Sequence, residues 1–246
     1  MASTFHDQIA LVTGASGGIG GETAIRLAAR GAKVALQYNS NPAGAEATLK
    51  KITAAGGTAI TVQGDASDAA DAARVVDATV GAFGKLTLLI NGAGISTPLA
   101  FGEMTAETID REFAVNVRSV ILMTQAAAPH LANGGRVVNV SSNLAFGPLP
   151  GLTLYSAAKA AVASLTHGLA RELGGRGITV NAVAPGATLT PMTDWLDRSV
   201  MDGIAANTPL GRIAQPDDIA DAILFLASPD SRWINGRTLI ADGGLI

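Results

Sequence analysis

The sequence lacks cysteine and is poor in charged and aromatic residues. Without cysteine there is neither a disulfide framework nor a thiolate metal site, and this composition fits a cytoplasmic protein. The net charge is −3 and basic residues form no run, so the electrostatic footprint of a protein that binds nucleic acid or an anionic membrane is missing. His6, His130 and His167 lie far apart and show no metal-ligand spacing, so no metal site is expected.

Long hydrophobic runs are also missing, and no stretch of about 18 apolar residues is free of charges or breakers. The N-terminus shows no basic segment followed by an apolar one. We therefore expect neither a membrane span nor a signal peptide. Apolar residues make up 48% of the 246 positions and charged residues 15%, which is typical of a compact globular protein. Such sparse charge, with a mean hydropathy of +0.33, indicates apolar surface hidden by self-association.

Short β-branched or apolar runs alternate with alanine-rich stretches along the chain. Strands are predicted at 9–14, 33–38, 58–64, 86–92, 135–142, 178–185 and 237–243. Helices are predicted near 18–30, 42–55, 68–82, 105–130, 152–174, 193–203 and 216–227. Strands that are apolar throughout favour burial on both faces, and the alternation favours right-handed strand–helix–strand units. We predict an α/β fold with a doubly wound, seven-stranded parallel sheet, helices on both faces, and one domain over residues 1–246.

A glycine-rich turn follows the first predicted strand in the stretch LVTGASGGIGG. Glycines here would let the backbone approach a pyrophosphate, with the amide groups of the following helix directed at the anion. The spacing differs from the G-x-G-x-x-G form of the general dinucleotide fingerprint, and a turn that binds nothing is the alternative. The predicted nucleotide contacts of this turn are Gly14, Ser16, Gly18, Ile19 and Gly20.

The second predicted strand ends in Tyr38, Asn39 and Ser40, and no acidic residue occurs between positions 33 and 44. NAD-selective sites often place an acid here to accept hydrogen bonds from the ribose hydroxyls. A carboxylate would repel a 2′-phosphate, whereas uncharged donors can receive it. We therefore favour NADP(H) over NAD(H), although no arginine accompanies these residues and a simple polar turn is the alternative.

Two more turns follow predicted strands and contribute candidate cofactor contacts. In GDASD, Asp65 is placed to accept from an adenine amino group and Ala66 to supply backbone contacts. The alternative for Asp65 is an acid that only stabilises a turn or a helix start. In NGAG, the two glycines would let the chain pass flat beneath a nucleotide. Its predicted contacts are Asn91, Gly92, Ala93 and Gly94.

Tyr155 and Lys159 are four residues apart on a predicted helix and therefore share one face. An isolated phenol titrates near pH 10, which makes it a poor acid near neutrality. A lysine ammonium a few ångströms away is expected to lower the pKa of the tyrosine and to fit it for acid–base catalysis. Ser142, at the end of a predicted strand, could donate to a carbonyl oxygen while Tyr155 delivers the proton. Taken alone, the pair is also compatible with ordinary surface packing.

Together these pieces resemble the short-chain dehydrogenase/reductase family, in particular 3-oxoacyl-carrier-protein reductases and related carbonyl reductases. The shared motifs are TGASGGIG (13–20), NGAG (91–94), the Asn of FAVNVRSV (113–120), VVNVSS (137–142), YSAAK (155–159) and PGATLT (185–190). They cover almost the entire chain in the family's order and spacing. NGAG departs from the commoner Asn-Asn-Ala-Gly, and the Gly at position 92 implies a less rigid central strand.

The resemblance implies a Rossmann-type sheet, a nicotinamide cofactor and a homotetramer. The implied catalytic residues are Asn116, Ser142, Tyr155 and Lys159. Lys159 would also hold the nicotinamide ribose, and the backbone carbonyl of Asn116 would anchor a water on a proton route to solvent. The turn after the sixth strand would pass the nicotinamide, since ligands sit at the carboxyl ends of the strands in open α/β sheets. Its predicted cofactor contacts, in addition to Tyr155 and Lys159, are Pro185, Gly186, Thr188 and Thr190.

The substrate is expected to enter between segments 96–101 and 143–153 and a mobile cover at 188–210, which interrupts the strand–helix rhythm. These segments carry mainly apolar side chains, which favours a small neutral carbonyl or alcohol compound. The apolar candidates are Leu99, Phe101, Leu144, Phe146, Leu149, Leu152, Met192 and Trp195. An acidic carrier protein would need a basic rim, for which Arg136 is one of few candidates, so a carrier-bound 3-oxoacyl substrate stays an alternative.

The sequence therefore predicts an NADP(H)-dependent carbonyl reductase that exchanges hydride with a ketone or secondary alcohol. Two alternatives stay open. One is an NAD-dependent secondary-alcohol dehydrogenase, and the other is a non-catalytic regulator that binds nucleotide. The four-residue catalytic set argues against the regulator, because a binding module needs no such tyrosine. A nucleotide-sugar epimerase or dehydratase is disfavoured, since 246 residues leave no room for a substrate lobe.

Overall fold

A single parallel sheet organises the chain in the computed structural model, which describes residues 5–246. The seven strands follow the order β3-β2-β1-β4-β5-β6-β7. Their bounds are β1 (Ile9–Thr13), β2 (Lys33–Tyr38), β3 (Thr58–Gln63), β4 (Leu86–Asn91), β5 (Leu131–Val140), β6 (Thr179–Pro185) and β7 (Thr238–Ala241). All six neighbouring pairs are parallel. The predicted Rossmann-type, seven-stranded parallel sheet is confirmed.

Helices cover both faces of this sheet. Their bounds are α1 (Gly18–Ala29), α2 (Pro42–Ala54), α3 (Ala69–Phe83), α4 (Ala106–Phe113), α5 (Ser119–Ala127), α6 (Thr153–Leu173), α7 (Arg198–Asn207) and α8 (Pro216–Ala227). One hydrophobic core joins the sheet to α1 and α8, and the other joins it to α3, α5 and α6. Within residues 5–246, no helix combines the length and apolar character needed to cross a bilayer.

Successive side chains of the central strand β1 point to opposite faces of the sheet, which explains the two cores. Val12 points into the core beneath α1, while its neighbour Leu11 points into the opposite core. Burial on both faces is incomplete at the edge of the sheet. On β7, Leu239 and Ile240 are each about two-fifths exposed.

The predicted helix over 105–130 is broken in the structure. Between α4 and α5, residues Ala114–Arg118 form a π turn. The side chain of Asn116 bonds to the backbone of Ile95 here, both donating to its oxygen at 2.9 Å and accepting from its nitrogen at 3.2 Å. A π turn inserts an extra residue and re-aims the side chains around it, and such turns are frequent at functional sites.

Two other predicted elements have different bounds. The strand predicted at 135–142 begins at Leu131, where it pairs with Leu86 before a register shift. The helix predicted at 193–203 is replaced by a 3₁₀ turn over Pro191–Thr193, followed by α7. The Thr193 hydroxyl donates to the backbone oxygens of Thr188 and Thr190, and this closed turn delays the start of the helix.

Candidate active site

The glycine turn between β1 and α1 is shaped by close backbone contacts. Gly14 has φ +69°, and a Cβ placed on it would lie 2.9 Å from the Cα atom of Ala93. A Cβ on Gly20 would collide with the backbone oxygen of Gly14. Helix α1 has no side-chain cap at its start and no acidic residue in its first turn. Its free amide groups and bare backbone therefore fit the pyrophosphate of a dinucleotide.

A buried glutamine supports this turn from the second strand. The side-chain oxygen of Gln37 accepts from the Gly14 nitrogen at 3.0 Å, and its nitrogen donates to the Gly64 oxygen at 2.6 Å. The amide thus joins the glycine turn to the end of β3. Sequence reasoning missed this residue, and the signal was a single polar side chain inside the apolar run KVALQY.

The NGAG segment after β4 is held more firmly than the sequence implied. The Asn91 amide donates to Asn139 at 2.8 Å and to Thr124 at 3.1 Å. The Thr13 hydroxyl accepts from the backbone nitrogens of Gly92 and Ala93 at 3.0 and 3.1 Å. A Cβ at position 92 would lie 2.9 Å from the Thr13 backbone oxygen. Backbone packing and these hydrogen bonds therefore hold the strand end at Gly92.

The candidate ribose and adenine contacts lie at the ends of β2 and β3. Tyr38 is the last residue of β2, and Asn39 and Ser40 follow it with exposed side chains. One carboxylate oxygen of Asp65 accepts from the backbone nitrogen and the hydroxyl of Ser67, at 2.8 and 2.7 Å. That oxygen stabilises the turn containing Ala66, which agrees with the alternative interpretation of Asp65 as a turn acid.

The segment after β6 lies over the glycine turn. Gly186 donates its backbone N–H to Ala241 at 3.0 Å, and the hydroxyl of the buried Thr188 donates to the Gly186 oxygen at 2.9 Å. A Cβ on Gly18 would lie 3.3 Å from the Cγ2 atom of Thr190. Thr190 therefore borders the start of α1, whereas the Thr188 hydroxyl is engaged within its own turn.

Tyr155 and Lys159 face the sheet side of α6 and lie together. The Lys159 nitrogen is 5.7 Å from the centre of the Tyr155 ring and donates to the Val140 oxygen at 2.9 Å. The Ser141 hydroxyl donates to the Lys159 backbone oxygen at 2.8 Å, which fixes the helix against the end of β5. Lys159 is buried, while Tyr155 keeps part of its surface exposed. The pair is thus a buried lysine beside a largely buried tyrosine, rather than surface packing.

Ser142 completes the group from the neighbouring strand end. Its side chain hydrogen-bonds to Tyr155, and its oxygen accepts from the Leu144 nitrogen at 3.2 Å. The strand itself ends at Val140, so Ser142 lies just beyond it and caps a short 3₁₀ turn over Asn143–Ala145. The serine is therefore held by a local turn and directed at the phenol.

The pKa values of the pair differ from the expectation. Burial raises the pKa of Tyr155 to about 12, although its hydrogen bond with Ser142 acts in the other direction. Burial lowers the pKa of Lys159 to about 8. The expected lowering of the tyrosine pKa is thus not found in the free chain, because burial raises this pKa most and the Glu112 carboxylate raises it further.

Asn116 reaches the same region from the π turn. A Cβ placed on Gly94 would lie 2.9 Å from the side-chain oxygen of Asn116 and 3.2 Å from the Lys159 nitrogen. The amide and the ammonium therefore border one glycine of the NGAG segment. The structure places all four residues of the predicted catalytic set at the carboxyl end of the sheet.

The segments expected to form the substrate entrance carry exposed apolar side chains. The most exposed large apolar side chains of these segments are Phe101 (83%), Leu210 (70%), Leu149 (53%), Phe146 (51%) and Trp195 (51%). The expected cover at 188–210 contains a cavity of about 460 Å³. Its lining residues are Leu189, Thr190, Pro191, Thr193, Asp194, Leu196 and Met201. Helix α7 in this segment has no buried residue.

Comparison with known proteins agrees with this geometry. The family model described as enoyl-(acyl carrier protein) reductase matches residues 14–246. The chain belongs to the short-chain dehydrogenase/reductase family. An uncharacterised oxidoreductase of Methylorubrum extorquens is 45% identical over 246 residues, covering 99% of both chains. The 3-oxoacyl-[acyl-carrier-protein] reductase of Synechocystis is 39% identical over 242 residues, covering 97% of both.

A solved structure extends the comparison. A short-chain dehydrogenase from Burkholderia cenocepacia, crystallised in complex with NADP, has a TM-score of 0.93 and 43% identity, with 98% of both chains covered. As a short-chain dehydrogenase/reductase, this protein is an oxidoreductase that acts on small molecules. The predicted family resemblance is confirmed.

Proposed function

We propose that this short-chain dehydrogenase/reductase is an NADP(H)-dependent carbonyl reductase, exchanging hydride with a ketone or secondary alcohol. The observation that supports it best is the cluster of Tyr155, Lys159, Ser142 and Asn116 beside the glycine turn. A phenol bonded to a serine and set against a buried ammonium is an arrangement for moving a proton at one oxygen atom. The family membership of the chain supplies the oxidoreductase class.

The proposed roles follow from the positions of these side chains. Ser142 donates a hydrogen bond to the carbonyl oxygen of the substrate, and Tyr155 delivers a proton to the same oxygen. Lys159 stabilises the phenolate that remains and holds the nicotinamide ribose. The bound nicotinamide supplies the hydride in reduction and accepts it in oxidation. The π turn at Asn116 changes the hydrogen-bond pattern of the helix backbone, which supports a backbone carbonyl available to a water on the proton route.

The NADP(H) preference rests on the end of β2. Asn39 and Ser40 are exposed, and no carboxylate occurs between positions 33 and 44 to repel a 2′-phosphate. The Burkholderia relative was crystallised with NADP. The remaining proposed cofactor contacts are those of the glycine turn, of Asp65–Ala66, of the NGAG segment and of Pro185–Thr190.

The substrate proposed is a small, neutral, largely apolar carbonyl compound. The mouth of the site carries exposed aromatic and aliphatic side chains, with Trp195 and Phe146 half exposed. Segment 188–210 is proposed as the mobile cover over this mouth. A carrier-bound 3-oxoacyl group is the second candidate, because of the identity to the Synechocystis reductase. Against it, Arg136 pairs in register with Thr179 at the amino-terminal end of β6, away from Ser142.

A homotetramer in the cytoplasm is part of the same proposal. The composition without cysteine supports the compartment. Two apolar surfaces support self-association, one on α4 and α5 and the other around α8 and β7, because exposed patches of this kind mark interaction sites. They contain Ile109, Phe113 and Ile121 on the first surface, and Phe225, Trp233, Leu239 and Ile240 on the second.

Turnover of a panel of ketones, ketoesters and acyl thioesters with NADPH and with NADH tests this function. We expect oxidation of NADPH with neutral ketones, and a weaker rate with NADH. A preference for NADH of about tenfold or more, which corresponds to about 1.4 kcal/mol, would reverse the cofactor assignment and favour an NAD-dependent alcohol dehydrogenase. Tight binding of NADPH without turnover of any compound would favour a regulator.

A further inference from the structure

One buried carboxyl near the site has no role in the reaction described above. Glu112 lies on α4, one helical turn before Asn116, and its side chain is 1% exposed. Its Oε1 atom accepts from the side-chain nitrogen of Asn116 at 3.1 Å. Its Oε2 atom is buried and, within residues 5–246, has no hydrogen-bond partner. Burial of such a group is costly unless something compensates its charge.

The compensating charge lies on the other side of the Asn116 amide. The side-chain nitrogen of Asn116 donates to the Glu112 carboxyl. The side-chain oxygen of Asn116 and the Lys159 nitrogen both lie close to the point that a Cβ on Gly94 would occupy. The carboxyl and the ammonium are not among the ion pairs of the described residues, so they interact over the amide rather than by direct contact. The Thr97 side chain lies beside the carboxyl from the loop after β4.

The charges act on each other in the direction expected for a buried pair. Burial raises the pKa of Glu112 overall, while the Thr97 side chain and the Lys159 ammonium act to lower it. Burial lowers the pKa of Lys159, and Glu112 acts to raise it. Arg111, on the same helix, also acts on the carboxyl. Glu112 is the one charged group that acts on Lys159 among the described residues, since the ammonium's hydrogen-bond partner Val140 offers a neutral carbonyl. Tyr155 also senses the carboxylate, which disfavours its phenolate.

We propose that Glu112 is the counter-ion of the Lys159 ammonium, a positioning residue that acts over the Asn116 amide to keep the lysine charged. A buried ammonium without an anion would lose its proton, and a neutral lysine would no longer stabilise a phenolate. The consequence for catalysis rests on the proposed carbonyl reductase function. The electrostatic pairing itself does not, and the two are tested separately.

The first test measures the protonation of Lys159 directly. The chain has five lysines, so the side-chain carbon next to each amine can be followed by NMR in protein labelled with ¹³C-lysine. The Lys159 signal is identified because its titration midpoint is low, in keeping with a pKa of about 8, and because it is missing from Lys159→Met. Glu112→Gln keeps the shape and removes the charge, and we expect its Lys159 midpoint to fall by about one pH unit. Glu107→Gln, on the exposed side of α4, is the matched control and should leave the midpoint unchanged.

The second test follows ketone reduction by the full enzyme against pH. As the pH rises, Glu112→Gln should lose activity about one pH unit earlier than the natural enzyme, because its Lys159 loses the proton earlier. KM for the ketone should change little. Glu112→Asp keeps the charge and should restore the original pH profile. A merely structural role would lower activity equally at every pH. An unshifted NMR midpoint in Glu112→Gln overturns the pairing, whereas a shifted midpoint without turnover of any ketone contradicts only the proposed function.

A measurement on the natural chain covers the case in which Glu112→Gln does not fold. In protein labelled with ¹³C-glutamate, the signal missing from Glu112→Asp identifies the Glu112 carboxyl carbon. We expect this signal to show a second inflection at the Lys159 midpoint, because the carboxyl senses the loss of the neighbouring charge. Absence of that inflection overturns the proposal.

Discussion

The ammonium nitrogen of Lys159 lies 5.7 Å from the centre of the Tyr155 ring, and the two groups are desolvated together. Burial moves their pKa values in opposite directions, to about 8 for the lysine and to about 12 for the tyrosine. Near neutral pH the phenol therefore holds its proton and the lysine is mostly charged. This is the protonation state that the proposed reduction requires, because Tyr155 is proposed to give a proton to the substrate oxygen.

Replacement of Tyr155 by Phe removes the proposed acid and leaves the shape of the pocket intact. We expect NADPH binding, followed by the fluorescence of the nucleotide, to be retained. Turnover of the best ketone should fall by at least about a hundredfold, which is the lower end of general acid–base contributions. Turnover equal to that of the natural enzyme would exclude Tyr155 as the acid.

Lys159 should make the stability of the chain depend on pH. Its pKa is lowered from 10.5 to about 8 on folding, so between these values the unfolded chain binds more protons. The free energy of unfolding therefore rises as the pH increases through this window, by up to about 3 kcal/mol from this group. Below pH 8 the lysine is charged in the folded and in the unfolded chain, so the full free-energy cost of burying its charge opposes folding. Tyr155 has the opposite sign, because its pKa is raised from 10 to about 12 and its stabilising contribution is lost across that higher range.

Denaturant unfolding of Lys159→Met at several pH values isolates the lysine contribution. Relative to this variant, the natural chain should gain stability as the pH rises from 8 to 10.5. Lys33→Met, at an exposed position at the start of β2, should follow the natural chain throughout. Parallel curves for the natural chain and Lys159→Met would show that the lysine is not desolvated in the folded state.

Gly94 is the contact point of Asn116 and Lys159, and an added methyl group should separate them. A Cβ there would lie 2.9 Å from the Asn116 oxygen and 3.2 Å from the Lys159 nitrogen. We expect Gly94→Ala to lower kcat by about tenfold or more, and to cost about 1–3 kcal/mol of stability through overpacking. Gly102→Ala is the matched control, since nothing lies within 4 Å of its Cβ position. Equal kcat for the two variants would contradict the close contact.

Elements with a strong local pattern were predictable from the sequence, and some bounds agree to the residue. The run KVALQY predicts a strand over 33–38, which is β2 as observed, and the helix predicted over 216–227 is α8. Both have an apolar pattern that matches their burial, and α8 begins at a proline that suits a first helical position. The family motifs likewise predicted that Ser142, Tyr155 and Lys159 lie together, and the structure places them side by side.

Features that depend on contacts between distant residues were not predictable. The π turn exists where Asn116 bonds to Ile95, a residue 21 positions away in the chain. The role of Gln37 depends on two turns that meet only in the folded sheet. The pKa of Tyr155 was predicted in the wrong direction, because spacing along a helix reveals a neighbouring charge but not the loss of solvent. The local sequence pattern specifies helices and strands, whereas burial and contacts between distant residues determine the hydrogen bonds and pKa values of the site.

The last prediction concerns the choice of nucleotide at the end of β2. Asn39 is exposed, and its replacement by Asp adds one negative charge with almost no change in shape. If a 2′-phosphate binds beside it, like-charge repulsion should lower kcat/KM for NADPH by about tenfold. The value for NADH should change little.

Two controls separate this effect from a general change of charge. Asn133→Asp adds the same charge at an exposed position near the start of β5, at the opposite end of the sheet from the site, and should leave both nucleotides unaffected. Raising the salt concentration should shrink the loss in Asn39→Asp, because salt screens exposed charges. Equal losses for NADPH and NADH would place the 2′-phosphate elsewhere and leave the proposed preference without support from this strand end.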